Sequence, residues 1–278
     1  MKISRFAPSP TGRLHLGHAY SAVVGRAAAD RFLLRIEDLD AGRCRPEFVD
    51  GIYEDLRWLG IDWDAPPLAQ SERTSQYAKA LERLRSAGLV YPCFCTRADI
   101  AASLTAPHGD AAASYPGTCR GAPMDAERMT ATPHSWRLDS AKAIAAAGLP
   151  SWVEGDGSKF QAKAKQIGDA IVARKDAPAA YHLTCVVDDA ESGVDLVVRA
   201  ADLRPSTPVQ RLLQIVLGLP EPTYLHHAMV AHADGRRLAK RDQAPTLAAM
   251  REAGASGAAL AGQLAIGELP LGFRFVDA

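Results

Sequence analysis

The sequence carries no excess charge of either sign, because 32 Lys and Arg residues balance 32 Asp and Glu residues. It therefore gives no global electrostatic sign of a nucleic-acid partner, and any anionic ligand must meet a local patch. Aromatic residues are few, at 6%, but 47% of the chain is apolar, which excludes a disordered chain. The length of 278 residues favours one or two domains.

Long apolar runs and an even number of cysteines are also missing. No uncharged apolar stretch approaches the roughly 18 residues that a membrane span needs. Lys2, Arg5 and Pro8 stand where a secretory signal would have apolar residues. We therefore expect no membrane association and a cytoplasmic location. In that reducing compartment the five cysteines favour metal binding or plain burial over disulfides.

The first 90 residues alternate predicted strands and helices. The predicted elements are a strand over residues 2–7, a Pro/Gly break over 8–12, a helix from residue 14, a strand over 32–36, and two helices. Those helices cover Pro46–Leu59 and a segment that Ser71 caps, and Gly60 and Gly88 end them. This order predicts an α/β fold with a parallel sheet.

The periodic pattern weakens over residues 91–167, which we interpret as an inserted module because the clustered cysteines and Pro107, Pro116 and Pro123 lie there. Order returns with predicted strands over residues 170–174, 183–187, 194–198 and 224–231. Thr207 is predicted to cap a helix that ends at Gly218. An Asp-Gly turn then leads into a basic segment, and the last 37 residues are predicted as two short helices and a frayed tail.

Two constellations have the composition of a phosphate site. His15, Gly17 and His18 open a predicted helix, whose N-terminus offers unpaired N–H groups, and the two imidazoles lie on one helix face. Gly17 leaves room for a base or ribose. The segment Arg236–Arg241 contains four cations in six residues and could stabilise charge that develops on a phosphate. The alternatives are two surface histidines and a solvated loop.

Together these segments resemble the catalytic core of class I glutamyl-tRNA synthetases. The resemblance rests on residues 5–12, on His15–His18 as the HIGH signature, on residues 35–38, and on Arg237–Arg241 at the KMSKS position. In the last of these only Lys240 matches a catalytic cation of the signature. The resemblance continues through residues 70–73, 180–183, 186–189 and 198–202, so it covers about residues 3–245.

The resemblance implies a Rossmann-like catalytic domain and specific roles. It implies that His15, His18 and Lys240 are catalytic, and that with Gly17 they bind ATP and its magnesium. It implies that glutamate is bound by these residues: Arg5, Ala7, Ser9, Glu37, Tyr181 and Arg199. Two arginines can hold a carboxylate, Glu37 can take the ammonium group, and Tyr181 adds a hydroxyl. An ion pair at the end of the strand is the alternative for Arg35, Glu37 and Asp38.

Three cysteines form a candidate zinc site in the predicted module. Cys93 and Cys95 are two residues apart, and Cys119 follows 24 residues later. Tetrahedral zinc needs a fourth ligand. Ligand frequency favours His108, whereas the resemblance implies Tyr115, and three buried structural thiols are the alternative to any metal. One zinc ion with four protein ligands would be structural.

Only 37 residues follow the basic segment, too few for the anticodon-binding region of a glutamyl-tRNA synthetase. The chain is therefore similar to the glutamyl-Q tRNA(Asp) synthetase family, which implies ATP-dependent transfer of glutamate to queuosine in tRNA(Asp). We expect a monomer that contacts tRNA through residues 199–251, which contain eight basic and four acidic residues. Further tRNA contacts are predicted at Lys159, Lys163, Lys165 and Arg174. The alternative functions are a shortened synthetase that charges a 3′ end and a non-catalytic tRNA-binding paralogue.

The predicted organisation has four segments and no anticodon-binding domain. They are the first half of the catalytic domain (1–90), the inserted zinc module (91–167), the second half (168–232), and the KMSKS-like loop with a short helical C-terminal segment (233–278).

Overall fold

A computed structural model of the chain describes residues 1–96, 98–100, 115–122, 124–238 and 245–277. Its first sheet is parallel, with strands in the order β1 (Ile3–Phe6), β2 (Arg31–Ile36) and β3 (Leu68–Ala69). Helices α1 (Leu16–Ala27) and α2 (Pro46–Trp58) connect these strands. The predicted strand–helix alternation of this half is confirmed.

A second pair of parallel strands extends this arrangement. Strand β9 (Leu196–Ala200) pairs with β10 (Thr223–His227), and helix α7 (Thr207–Val216) connects them. The start of β9 is tied to β1, because the Asp195 amide donates to the Ile3 carbonyl at 3.1 Å and the Ile3 amide donates to Asp195 Oδ1 at 2.7 Å. The carboxyl ends of β1, β2 and β9 therefore lie together, which is where open α/β sheets bind ligands.

The middle of the chain forms an antiparallel sheet and a hairpin. Helix α3 (Thr74–Ser86) leads into a sheet with the order β4 (Val90–Cys93), β5 (Ser135–Leu138) and β8 (Ile171–Ala173). The other elements of this region are α4 (Ala126–Ala131), α5 (Ser140–Ala147), and the hairpin strands β6 (Ser151–Val153) and β7 (Lys159–Gln161). Strand β8 leads into α6 (Tyr181–Glu191).

The C-terminal residues complete the N-terminal half. Strand β11 (Met229–His232) pairs antiparallel with β12 (Phe273–Val276), and α8 (Leu247–Glu252) and α9 (Gly257–Ala265) lie between them in sequence. Gly257 lets α9 approach the end of α2, because a Cβ atom there would lie 2.0 Å from the carbonyl oxygen of Trp58. None of the helices in the described part of the chain has the length and apolar character that a membrane crossing demands.

Two apolar cores hold these layers together. One joins α3, the middle sheet, α6 and α7, and the other joins α1, β2, α2, α8 and α9. Leu138 of β5 shares the first core with Leu183 and Leu212, so the predicted inserted module packs on the second half of the catalytic domain. The α/β class is confirmed, while the four segment boundaries stay predictions.

The predicted strand over residues 183–187 is wrong, because these residues lie in helix α6. The run Leu183–Asp189 is buried on every side of this helix, so its apolar residues have no amphipathic period that would mark it as helical. The predicted strand over residues 224–231 divides at Ala228 into β10 and β11, which belong to different sheets.

The predicted frayed tail is also wrong, because β12 forms there and pairs with β11. Two predicted helix caps are misplaced. Ser71 lies in a 3₁₀ turn before α3, and its amide and hydroxyl both donate to the Asp38 carboxylate. Thr207 is the first residue of α7 and not its N-cap, which is Ser206. Gly60, Gly88 and Gly218 follow their helices with positive φ, as predicted.

Candidate active site

A cleft of about 810 Å³ lies at the carboxyl ends of β1, β2 and β9. Nine of the ten predicted glutamate and ATP residues line it: Arg5, Ala7, Ser9, His15, Gly17, His18, Glu37, Tyr181 and Arg199. Lys240 lies outside the described residues, as do its neighbours Ala239 and Arg241. Residues that are up to 194 positions apart in sequence, Arg5 and Arg199, thus form one site.

The phosphate end of the cleft is the first turn of α1. His15 is the N-cap, and its Nδ1 accepts the Gly17 amide at 3.1 Å. The His15 amide in turn donates to His18 Nδ1 at 3.2 Å, so the two rings cap the helix reciprocally with centroids 3.9 Å apart. Because each Nδ1 accepts a hydrogen bond from a backbone amide, the rings are neutral and carry their hydrogen on Nε2. Each ring is therefore a donor suited to a phosphate oxygen.

Gly17 lies directly beside the His15 ring. A Cβ atom at Gly17 would lie 3.1 Å from His15 Cε1 and 3.2 Å from His15 Nδ1. Gly17 itself lines the cleft, and a side chain at this position would crowd the His15 ring. Glycine at this position therefore leaves the His15 ring in its capping position.

The amino-acid end is built on a buried network of ions. Arg5 Nε donates to Asp189 Oδ1 at 2.8 Å, and Arg5 Nη1 donates to the Val198 carbonyl at 3.2 Å. Arg35 donates to the same Asp189 oxygen. Burial raises the pKa of Asp189, but the two guanidinium groups lower it more, so its net pKa lies below the ordinary value. Asp189 therefore stays ionised and fixes Arg5 on the cleft wall.

Glu37 is the anionic group of the amino-acid end. Arg35 Nη2 donates to Glu37 Oε1 at 3.2 Å, which confirms an ion pair at the end of β2. Burial raises the pKa of Glu37 more than Arg35 and Arg5 lower it. A further cation beside this carboxylate would offset that burial, which is what the ammonium group of an amino acid supplies.

Arg199 is held from three sides. Its guanidinium donates to Gln210 Oε1 at 2.6 Å, to Thr207 Oγ1 at 2.8 Å and to His226 Nε2 at 3.1 Å. His226 Nε2 accepts this hydrogen, so Nδ1–H is the donor to Glu154 Oε1 at 2.8 Å. Burial and Arg199 lower the pKa of His226 to about 4, although Glu154 opposes this. A neutral imidazole thus links Arg199 to a carboxylate from the middle region.

Tyr181 begins α6 and lines the cleft beside these cations. Burial raises the pKa of Tyr181 to about 12, so the phenol keeps its proton and can donate a hydrogen bond. Ala7 and Ser9 lie on the segment that leaves β1 towards His15. They join the two ends of the cleft.

The predicted metal residues converge in the middle region. The Sγ atoms of Cys93, Cys95 and Cys119 all lie within 4.8 Å of one another, and those of Cys95 and Cys119 are 3.6 Å apart. The Tyr115 hydroxyl lies 3.4 Å from Cys93 Sγ and 3.5 Å from Cys95 Sγ. The other candidate fourth ligand, His108, lies outside the described residues.

These separations fit a tetrahedral zinc ion. Zinc–sulfur bonds of about 2.3 Å place two thiolates about 3.8 Å apart, and a zinc–oxygen bond of about 2.0 Å places that oxygen about 3.5 Å from each sulfur. The Cys119 amide also donates to the Tyr115 hydroxyl at 2.9 Å, and the Arg137 guanidinium lies 3.8 Å from the Tyr115 ring centroid. The Cys119 amide favours a phenolate at this position, but burial and the hydrogen bonds with the three thiols outweigh it and raise the pKa of Tyr115.

Comparisons with known proteins agree with this geometry. Residues 3–265 match the family described as "tRNA synthetases class I (E and Q), catalytic domain". The fold is similar to a glutamate tRNA ligase from Elizabethkingia meningosepticum that was solved with its amino acid, with a TM-score of 0.78 and 26% identity. That match covers 95% of this chain and 60% of the solved one, so the chain spans less than two thirds of that ligase.

Proteins named glutamyl-Q tRNA(Asp) synthetase are more similar. The protein of that name from Rhodobacter capsulatus is 43% identical over 272 residues, which cover 92% of this chain and 97% of that protein. The one from Nocardia farcinica is 45% identical over 259 residues, which cover 91% and 80%. The chain belongs to the glutamyl-Q tRNA(Asp) synthetase family.

Within this glutamyl-Q tRNA(Asp) synthetase family member, sequence reasoning missed the residues behind the site. Asp189 holds Arg5 and is itself bound by Arg35, while Thr207, Gln210 and His226 hold Arg199. One signal was present in the sequence, because two adjacent carboxylates in an apolar run, residues 186–189, require buried cations as partners.

Two of the eight basic residues in the stretch predicted to contact tRNA, residues 199–251, are buried and cannot contribute to a basic surface. Arg199 lines the cleft, and Arg211 is buried against Glu221, Gln214 and the Ser151 carbonyl. A count of charges along the sequence does not separate buried cations from surface ones.

Proposed function

We propose that this protein activates glutamate with ATP as glutamyl-adenylate and transfers the glutamyl group to queuosine in the anticodon loop of tRNA(Asp). One observation carries the proposal: side chains suited to a carboxylate, an ammonium group and a phosphate chain line a single cleft. The names of its relatives supply the acceptor, and the family supplies ATP as the energy source.

Glutamate would lie with its side-chain carboxylate between Arg5 and Arg199. These guanidinium groups already have their orientation fixed by Asp189 and by Gln210, so little entropy is lost when the substrate binds. Glu37 would take the ammonium group, and the Tyr181 hydroxyl would donate to an oxygen of the substrate. The α-carboxylate would then point towards the first turn of α1.

In the first step a carboxylate oxygen of glutamate bonds to the α-phosphorus of ATP, and the bond to pyrophosphate breaks. The Nε2–H groups of His15 and His18, the N-terminus of α1 and Lys240 would stabilise the charge that develops on the phosphate oxygens. Magnesium, bound with ATP, would neutralise part of the charge on the pyrophosphate. No side chain has to form a covalent bond.

In the second step a hydroxyl of queuosine bonds to the glutamyl carbonyl carbon and loses its proton, and AMP leaves. Catalysis in both steps depends on position and charge. Binding of the anticodon loop at the mouth of the cleft is consistent with the exposure of the α1 N-terminus to that cleft.

We also propose that Cys93, Cys95, Tyr115 and Cys119 hold one structural zinc ion. Their convergence supports this proposal. Metal analysis should find about one zinc per chain, and a Tyr115→Phe variant should bind zinc more weakly than the native protein. A metal-free native protein would contradict it. A monomeric state and a cytoplasmic location stay predictions.

The test of function is ATP-dependent transfer of labelled glutamate to two tRNA pools, one with queuosine and one from cells that cannot make it. We expect label only in the queuosine pool, in a form that survives removal of the 3′-terminal nucleotide. Equal labelling of both pools would identify a shortened 3′-end charging enzyme. Absence of glutamate-dependent pyrophosphate exchange would identify a non-catalytic paralogue.

A further inference from the structure

A second groove of about 460 Å³ lies beside the active-site cleft. The segment from Met129 to His134 forms one side of this groove, the turn after β8 forms the other, and Trp136 lies between them. Arg174 and Ala177 of that turn line both the groove and the cleft. The groove and the cleft are therefore separated by a single turn of the chain.

A row of rings and cations runs along this side of the middle sheet. The Arg128 guanidinium lies 4.1 Å from the Phe94 ring centroid, and the Arg85 guanidinium lies 4.7 Å from that of Trp136. Between them, the centroids of Phe94 and His134 are 5.4 Å apart, as are those of His134 and Trp136. Three rings with a cation at each end thus form a continuous surface.

The pleat of the sheet separates this row from the thiol cluster. Cys93 pairs with Ser135 and Pro92 pairs with Trp136, so alternate residues point to opposite faces. Cys93 lies on the face with Arg137 and Tyr115, and Trp136 lies on the other. The cluster that holds β4 to the segment before α4 therefore supports the row from behind.

The groove has the chemistry of a nucleotide site. His134 is fixed before any ligand binds, because its Nδ1 bonds to the Thr132 carbonyl at 3.1 Å. Lys175 is on the wall, as is Arg174, whose charge is paired with Asp176 and Asp40. Among the described residues no carboxylate side chain lines the groove. Aromatic faces beside cations bind single-stranded nucleic acid, because every base can stack and every linkage carries a negative charge.

We propose that this groove binds an unpaired nucleotide of the tRNA next to the one that enters the cleft. Its base stacks on His134, which packs nearly perpendicular to the Trp136 ring, and its phosphate lies near Lys175. The inference rests on the proposed function in one respect, namely that the acceptor is a tRNA loop. RNA is favoured over a peptide or a membrane because the groove combines aromatic faces with cations and lacks a broad aliphatic patch.

The test compares His134→Ala with His134→Phe, which keeps an aromatic ring. For His134→Ala we expect the KM for queuosine-containing tRNA to rise about 5- to 150-fold, the range for loss of one stacked base. Glutamate-dependent pyrophosphate exchange should not change. His134→Phe should restore most of the tRNA affinity. A merely structural histidine would not separate exchange from transfer in this way.

Arg57→Ala is the matched control, because Arg57 lies 5.4 Å from the Trp63 centroid and 5.9 Å from that of Tyr53, in a similar cluster that lines neither the groove nor the cleft. This variant should leave both activities unchanged. Equal tRNA KM values for native protein and His134→Ala, with normal exchange in both, would overturn the proposal.

A direct measurement of tRNA binding tests the groove even if no glutamate transfer is found or if His134→Ala does not fold. Fluorescence anisotropy of labelled queuosine-containing tRNA should show a salt slope that is smaller by about 1 for Lys175→Ala than for native protein. An unchanged salt slope and an unchanged tRNA affinity in Lys175→Ala would contradict nucleotide binding in the groove, even if the proposed function also failed. Absence of transfer with normal, Lys175-dependent binding would contradict only the function.

Discussion

The two ends of the cleft recognise charge in different ways. At the amino-acid end, Arg5, Arg199 and Glu37 are ions whose positions are fixed by further buried partners. At the phosphate end, the described groups are neutral imidazoles and the N-terminus of α1. The difference follows from the substrates. Glutamate brings permanent charges that need permanent partners, whereas charge on the α-phosphate grows only during the reaction and is best met by dipoles and an added cation.

The largest effect should follow removal of the anion that holds the amino-acid end. Asp189→Asn leaves Arg5 and Arg35 buried without their shared carboxylate, so we expect the free energy of unfolding to fall by about 3–5 kcal/mol. Denaturant unfolding measures this. Asp176→Asn is the control, because the Arg174–Asp176 pair is partly exposed and should contribute about 0–1 kcal/mol. Equal losses in the two variants would show that burial of the network does not matter.

A substitution at the phosphate end should lower the reaction rate and leave the stability of the protein unchanged. Lys240→Ala should reduce pyrophosphate exchange about 10²- to 10³-fold, the range for one lost electrostatic donor, with an unchanged KM for glutamate. Arg241→Ala, the adjacent cation, should reduce it less than about tenfold. An unchanged exchange rate in Lys240→Ala would contradict the assignment of this basic segment as the KMSKS-like loop.

A smaller effect should follow loss of the support behind Arg199. His226→Phe keeps a ring parallel to Tyr224 but removes the acceptor for Arg199 Nε. We expect the KM for glutamate to rise about tenfold, as for one hydrogen bond to a charged group, with little change in kcat or in the KM for ATP. A fall in kcat alone would place His226 in the chemical step.

The smallest expected effect is that of pH on the KM for glutamate. Burial and Arg199 lower the pKa of His226 to about 4, so the ring is neutral at pH 6–8 and the KM for glutamate should change less than about twofold there. As pH falls towards 4, protonation would make Nε2 a donor that faces Arg199, and the KM should rise. A rise centred near pH 6.5 would instead show that His226 titrates as an exposed histidine.

The sequence predicted those parts of the molecule that depend on local signals or on a known pattern. The helix ends at Gly60 and Gly88 follow from backbone conformation alone, and the cleft residues follow from the resemblance. The helix over residues 181–191 was missed because its apolar residues are buried all around and leave no period. Ser71 was misread as a cap because its partner, Asp38, is 33 residues away.

The supporting residues of the site could not have been predicted for a related reason. Gln210 bonds both Arg199 and the Cys185 thiol, but nothing near Gln210 in sequence indicates either contact. A buried polar side chain is specified by its partners, and those lie on other elements. Their identity becomes visible only when β9, α6 and α7 are assembled.

The first turn of α1 has a consequence for how this enzyme can change over generations. His15 fills the space over Gly17, and His18 holds the backbone of His15. A replacement of Gly17 or His18 changes a contact of His15, and a replacement of His15 changes both contacts, so the effects of these substitutions should not add. Single substitutions with little effect on the protein are therefore expected to be rare at these three positions.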